Sequence, residues 1–262
     1  MVASRWADTL LRQDPEPREL SHLYKGPYWS AALGLTELHP EAELFVVSAG
    51  LGLVSAGALH SAYSATFSSG HPDSVPGAST SEGRRSWWGL LNGSARLRRA
   101  VERSGRTLVV LPNRYLGVVA DDLAAADRGQ VIVFASSCPP ALAELLGERL
   151  FRVRAPMVRE LGSNVGALAP KAAAFAFPEP TTDLATARAR FGQLDSVQDR
   201  ALYPVRQKQS PEQVVEWLGV VLDGEEPPTS ASAALRAFRA SGRAFEQKRF
   251  HRLFHEVMEK RG

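Results

Sequence analysis

The sequence predicts an α/β protein, with a central, mainly parallel sheet flanked by helices and a small C-terminal helical unit. Three observations predict it. Short continuous apolar runs recur at residues 44–49, 107–112 and 130–135, the pattern of strands buried on both faces. The second and third runs are each followed by a stretch with helical spacing, and alternating strands and helices build parallel sheets. The last 29 residues carry eight Lys/Arg against three Glu on apolar positions of helical period.

Taken in order, residues 5–12 and 19–35 read as helices. Gly26-Pro27 interrupts the second, and Pro27 suits the first turn of a new helix. Glu43–Ala49 is the first strand, and it runs into Gly50-Leu51-Gly52. Residues 68–85, rich in Ser, Gly and Pro, read as a long loop. Arg106–Pro112 is the second strand, followed by a helix over Tyr115–Ala126. Gln130–Ala135 is the third, followed by a helix from about Pro139 to Leu146. Shorter strands are expected at Leu150–Val153 and Ala172–Phe177. The polar stretch Asp223–Ser230 separates an α/β domain, residues 1–222, from a basic tail, residues 230–262. The tail reads as two helices, Ala233–Ala240 and about Ala244–Lys260, joined at Ser241-Gly242 and compatible with a helix-turn-helix-like unit.

Composition sets the boundaries. At 44% hydrophobic and 23% charged, the 262-residue chain is an ordinary globular composition, not a disordered, collagen-like or rod-like one. One cysteine excludes an internal disulfide framework and fits a reducing compartment. No run approaches about 18 apolar residues, so no membrane association is expected. Met1–Asp8 lacks the pattern of a secretory leader, and the expected location is cytoplasmic. The formal charge of +3 is concentrated in the tail, which points to a polyanionic partner.

Ligands of parallel sheets bind beyond the carboxyl ends of strands. That places Ser48, Gly50 and Gly52 at a site edge, with Asn113, Arg114 and Ser136 after the second and third strands. A tight turn without a ligand is the alternative reading of the glycines. The dinucleotide pattern is incomplete, since Ser55 stands where its third glycine would be, and no cofactor is expected. Tyr63–Ser74 is crowded with hydroxyls. Tyr63 is a candidate substrate-binding group, and His71 or Asp73 is the candidate for polarising a water; ordinary turn chemistry is the alternative. Trp87-Trp88, behind Arg84 and Arg85, offers base stacking with phosphate contact, or a helix with buried indoles. Cys138 is read as inert, and His251/His255, lacking a third ligand, as no metal site. In the tail Lys248, Arg249 and Arg252 share a helix whose apolar stripe docks elsewhere, and are assigned to the nucleic-acid backbone.

Leu23-Tyr24-Lys25-Gly26, Val47–Val54 and Tyr63-Ser64-Ala65-Thr66-Phe67 together resemble an uncharacterised bacterial family. That family is similar to peroxide-stress proteins of the YaaA type and to the uracil-DNA-glycosylase-like domain of archaeosine synthases. The resemblance covers residues 20–75. It implies a glycosylase-like fold and a protein acting on nucleic acid, DNA above RNA, that hydrolyses an N-glycosidic bond at a modified base in phage defence or stress. Members usually open on a strand before the Leu-Tyr helix, whereas this chain opens on Trp6 and a helical pattern. That departure leaves a non-catalytic DNA-binding subunit of a defence or stress system, with protein partners, as the alternative.

Overall fold

The computed structural model describes residues 16–195 and 206–260. The chain divides into two compact units, Met1–Gln198 and Asp199–Gly262. The helix expected at 5–12, with Trp6, lies outside the described residues.

The first unit opens with β1 (Arg18–Glu19), α1 (Leu20–Leu23) and α2 (Pro27–Glu37), the last starting at Pro27 as the sequence expects. Next come β2 (Phe45–Ser48), β3 (Gly52–Ser55) and β4 (Leu59–His60), then α3 (Ser81–Leu90) and α4 (Gly93–Arg103). β5 (Thr107–Val110), α5 (Asn113–Ala126), β6 (Val131–Ala135), α6 (Pro140–Leu146) and β7 (Leu150–Arg152) follow. α7 (Met157–Glu160), α8 (Leu168–Ala176) and α9 (Leu184–Asp195) complete its described helices.

β5, β6 and β7 form a parallel three-stranded sheet in that order. Period-two alternation divides β6 between two cores. Val131, Val133 and Ala135 pack with Trp87, Trp88, Val101, Leu116 and Val119 on one face. Ile132 and Phe134 pack with Phe151, Ala172, Phe177 and Phe191 on the other. There Phe134 stacks on Phe151 at 4.5 Å and Phe191 meets Phe151 edge-on at 5.1 Å. Helices therefore cover both faces, as the apolar runs require.

The sheet is smaller than the sequence predicts. The 44–49 run is not a third neighbour of 107–112 and 130–135: β2 pairs antiparallel with β3, Val46 opposite Val54. The reason is local. Ala49-Gly50-Leu51 is a three-residue hairpin loop closed by Gly52, whose φ of +74° lies in the left-handed region. A Cβ on Gly52 would also sit 2.8 Å from the Leu91 carbonyl oxygen. Gly52 is thus a turn residue under steric constraint.

Ala172–Phe177 is also not a strand. It lies within and just beyond α8, where the alanines favour a helix and Pro170 occupies the first turn. Trp87 and Trp88 are both buried, near the end of α3 rather than its start. Their indole N–H groups donate to the Ala49 carbonyl and to Asp122 Oδ2, at 2.7 and 2.8 Å. Neither face is free to stack on a base.

In the second unit α10 (Pro211–Leu222), α11 (Ala231–Ala240) and α12 (Gln247–Glu259) share one core of Val214, Leu218, Leu235, Phe238, Phe250 and Phe254. The Asp223–Ser230 break falls between α10 and α11, inside this unit, because α10 contributes Val214 and Leu218 to that core. Ser210 and Gln213 form a capping box on α10, and Ser230 caps α11 through the Ala233 amide. Between α11 and α12 the chain makes β9 (Arg243–Ala244), parallel to β8 (Gln207–Lys208). α12 starts later than the sequence suggests, because the Glu246 carboxylate accepts the Lys248 and Arg249 amides and sets its N-terminus.

Candidate functional site

Ser48 ends β2 fully buried. Its Oγ accepts the amides of Gly50 and Leu51 at 3.1 and 3.0 Å and lies 2.5 Å from the Tyr63 hydroxyl. A hydroxyl has two lone pairs and one proton. The two amides occupy both lone pairs, so Ser48 donates to Tyr63. Tyr63 also contacts the Tyr24 hydroxyl, and donating there satisfies its own proton. The result is a directed chain, Ser48 to Tyr63 to Tyr24, that ends on a phenolic proton.

The first turn of α5 brings Tyr115 beside this chain. Burial raises the Tyr63 phenol, and neighbouring Tyr24 and Tyr115 add to the rise, so it is neutral at all physiological pH. Burial likewise raises Tyr115, which is hydrogen-bonded to the Thr66 side chain and the Phe67 backbone, with its ring edge-on to Phe67 at 5.1 Å. These are neutral donors and acceptors.

Two residues before Tyr115, Asn113 reaches across from the end of β5 to the end of β6. Its Nδ2 donates to Ser136 Oγ at 3.0 Å and its Oδ1 accepts the Ser137 amide at 3.3 Å. Asn113 and Ser136 therefore meet at the carboxyl edge of the parallel sheet, as the sequence expects, and both are exposed. Arg114 is exposed beside them, and its charge reaches Tyr115. Gly50 joins the cluster through its amide on Ser48.

His71 and Asp73 lie on a loop that closes on itself. Thr66 donates its amide to the Asp73 carbonyl at 2.8 Å and accepts the Val75 amide at 3.0 Å. His71 Nδ1 accepts the Asp73 amide at 3.2 Å and lies 3.4 Å from Asp73 Oδ2. The side chains are 56% and 41% exposed, which screens the pair. Ser74 Oγ accepts the His71 amide and bonds the Ser68 carbonyl, at 2.9 and 2.7 Å.

The arginines assigned to nucleic acid beside the tryptophans are engaged within the fold. Arg84 donates to the Ala78 carbonyl at 2.6 Å and to Ser81, and Arg85 lies 3.7 Å from Asp121. In the second unit Lys248, Arg249 and Arg252 are exposed on α12 while Phe250 and Phe254 are buried. Arg249 leans over the Phe245 ring at 5.5 Å, and Arg252 pairs with Glu256 at 3.7 Å. Burial raises the Cys138 thiol, against the opposing charge of Arg152, the direction of an inert cysteine.

Tyr24, Thr66 and Tyr115 are members of the cluster that residue-by-residue reading does not single out. Tyr24 and Thr66 lie in the stretches Leu23–Gly26 and Tyr63–Phe67. Tyr115 has no local signal beyond its place in the first turn after a strand. No protein-family model, curated protein or solved structure matches the chain.

Proposed function

We propose that this is a nucleic-acid-acting protein that recognises a base through Tyr24 and Tyr115, with the Ser48–Tyr63 hydroxyl chain orienting Tyr24, and through the neighbouring Asn113–Ser136 edge. One observation carries the reading: a chain of neutral hydroxyls with a fixed direction of donation stands beside the carboxyl edge of a parallel sheet. Base edges are patterns of uncharged donors and acceptors, and neutral phenols and amides match them. The terminal proton of Tyr24 selects an acceptor, such as a base carbonyl. The exposed cations of α12 suit the phosphate backbone.

A second reading adds chemistry. His71 accepts the Asp73 amide and so fixes the backbone at Asp73, on a loop tied to Thr66, itself a partner of Tyr115. Asp73 would accept a proton from the water that attacks the sugar carbon as the N-glycosidic bond breaks. The family resemblance supports this hydrolytic form; the exposure of the pair favours simple recognition.

The test compares retention with release. The full chain is mixed with fluorescent single- and double-stranded DNA and RNA, and both anisotropy and freed base are measured. Saturable binding that Tyr24→Phe weakens supports recognition, and freed base abolished by Asp73→Ala supports hydrolysis. No binding to any of the four probes overturns both.

A further inference from the structure

α4 carries a row of arginines that the site above does not use. Gly93, Leu97 and Val101 turn to the core. Arg96, Arg99 and Arg103, at i, i+3 and i+7, fall on one stripe beside that face. At 1.5 Å per residue the row spans about 10 Å. All three residues are exposed. Arg96 is steadied by donation to the Leu53 carbonyl at 3.3 Å. Among the described residues Arg99 and Arg103 have no hydrogen-bond or ion-pair partner. The helix offers one carboxylate, Glu102, three residues after Arg99 and without an ion-pair contact to it within 4.0 Å.

Like charges three and four residues apart destabilise a helix. Some arginines elsewhere in this unit meet acceptors, Arg149 at Asp127, Arg85 at Asp121 and Arg84 at a carbonyl. Three guanidinium groups thus share one exposed stripe, and those of Arg99 and Arg103 are left open to an anion. We propose that Arg96, Arg99 and Arg103 form a phosphate-tracking ridge that holds a nucleic-acid strand by its backbone. Guanidinium forks bind phosphate bidentately, and a row along one helix meets successive phosphates of a strand. A membrane surface fits less well, because the apolar residues of α4 are buried and none is left on the stripe to insert. The inference rests on the nucleic-acid reading for the class of its partner.

The full chain and its Arg96→Gln/Arg99→Gln/Arg103→Gln variant are titrated against a labelled 20-nucleotide single strand and a 20-base-pair duplex between 50 and 200 mM salt. The variant should bind at least about tenfold more weakly, with a log–log salt slope lower by two to three phosphate equivalents, each about 0.7 on single strands and 0.9 on duplex. Arg98→Gln, off the stripe, should change the slope by less than one equivalent. Circular dichroism checks folding, and the Arg→Lys triple variant, which keeps the charge, should retain most of the slope; a slope that falls there as far as in the Gln variant would leave charge out of the explanation and overturn the ridge. Equal slopes in wild type and the Gln variant overturn the ridge while leaving the nucleic-acid reading standing. Wild type that binds neither probe ends both. Wild type that binds a polyglutamate peptide and no nucleic acid, with weaker binding by the Gln variant, overturns the assignment to nucleic acid in favour of an acidic protein.

Discussion

The Ser48 hydroxyl lies 2.5 Å from that of Tyr63 with both of its lone pairs already taken by backbone amides. One side chain thus fixes the β2–β3 hairpin loop and the direction of the hydroxyl chain. Its removal takes an acceptor from the Gly50 and Leu51 amides and a donor from Tyr63. Ser48→Ala should destabilise the protein by about 2 kcal/mol, the cost of buried groups left unpaired. Tyr63→Phe should cost less, and the double variant less than the sum, by about 1 kcal/mol of coupling. Urea denaturation of the four proteins measures it, and strict additivity would mean the two hydroxyls act independently.

Gly52 and Gly93 are both predicted to resist alanine, for different reasons. Gly52→Ala places a Cβ at positive φ and 2.8 Å from a carbonyl oxygen, at a cost of about 1–3 kcal/mol. Gly93→Ala drives a Cβ to 2.3 Å from the Trp88 ring and should shift or expose that indole. Thermal unfolding and Trp fluorescence follow both. A Gly52→Ala protein of unchanged stability would contradict its role in the turn.

Asp127 gives the first unit a pH dependence. Its Oδ1 accepts the amides of Gly129, Gln130 and Val131, and its Oδ2 pairs with Arg149 at 2.6 Å. Burial pushes this carboxyl up, but Arg149 and the amides outweigh it and hold it below its ordinary 3.8. A depressed folded value means the unfolded chain takes the proton first as pH falls. The stabilisation is therefore full above about pH 5 and is lost as pH falls through 3.8 and then the folded value. Asp127→Asn should cost about 1.5–3 kcal/mol at pH 7, the worth of hydrogen bonds to a charged group, and should flatten the acid side of the stability curve. Parallel curves between pH 6 and 2 would remove Asp127 from that dependence.

The His71–Asp73 loop is predicted to tolerate change at its two candidate catalytic residues. Both side chains are substantially exposed, so His71→Ala and Asp73→Ala should each alter stability by about 0.5 kcal/mol or less. Ser74→Ala should cost more, about 1 kcal/mol, since its Oγ holds the loop closed. If the hydrolytic reading is right, the first two variants lose base release while remaining as stable as wild type.

On α12, replacing Lys248, Arg249 and Arg252 by Ala should weaken nucleic-acid binding and lower the duplex salt slope by up to about 0.9 for each phosphate no longer neutralised. Arg252 already pairs with Glu256, so its share should be the smallest. Anisotropy at several salt concentrations reads the change, and an unaltered slope would leave α12 as a packing helix alone.

What the sequence determined by itself was local or periodic. The runs at 107–110 and 131–135 announce strands buried on both faces, and their parallel pairing follows from the helix that must cross between them. The break at Pro27 and the meeting of Asn113 with Ser136 follow from residue chemistry and from strand ends that share an edge. The tertiary structure decided what depends on a distant partner. An apolar run such as Phe45–Ser48 specifies burial but not which strand it joins, and the turn at Gly52 gave it β3 instead of β5. Burial of Trp87 and Trp88 depended on acceptors 38 and 34 residues away. The α4 arginines are spaced i, i+3, i+7 in the chain, yet only the fold decides which side of that helix is buried. The hydroxyl chain joins Tyr24, Ser48 and Tyr63 across the β2–β3 hairpin, and its direction depends on which lone pairs the backbone has already filled, a property that no stretch of sequence carries on its own.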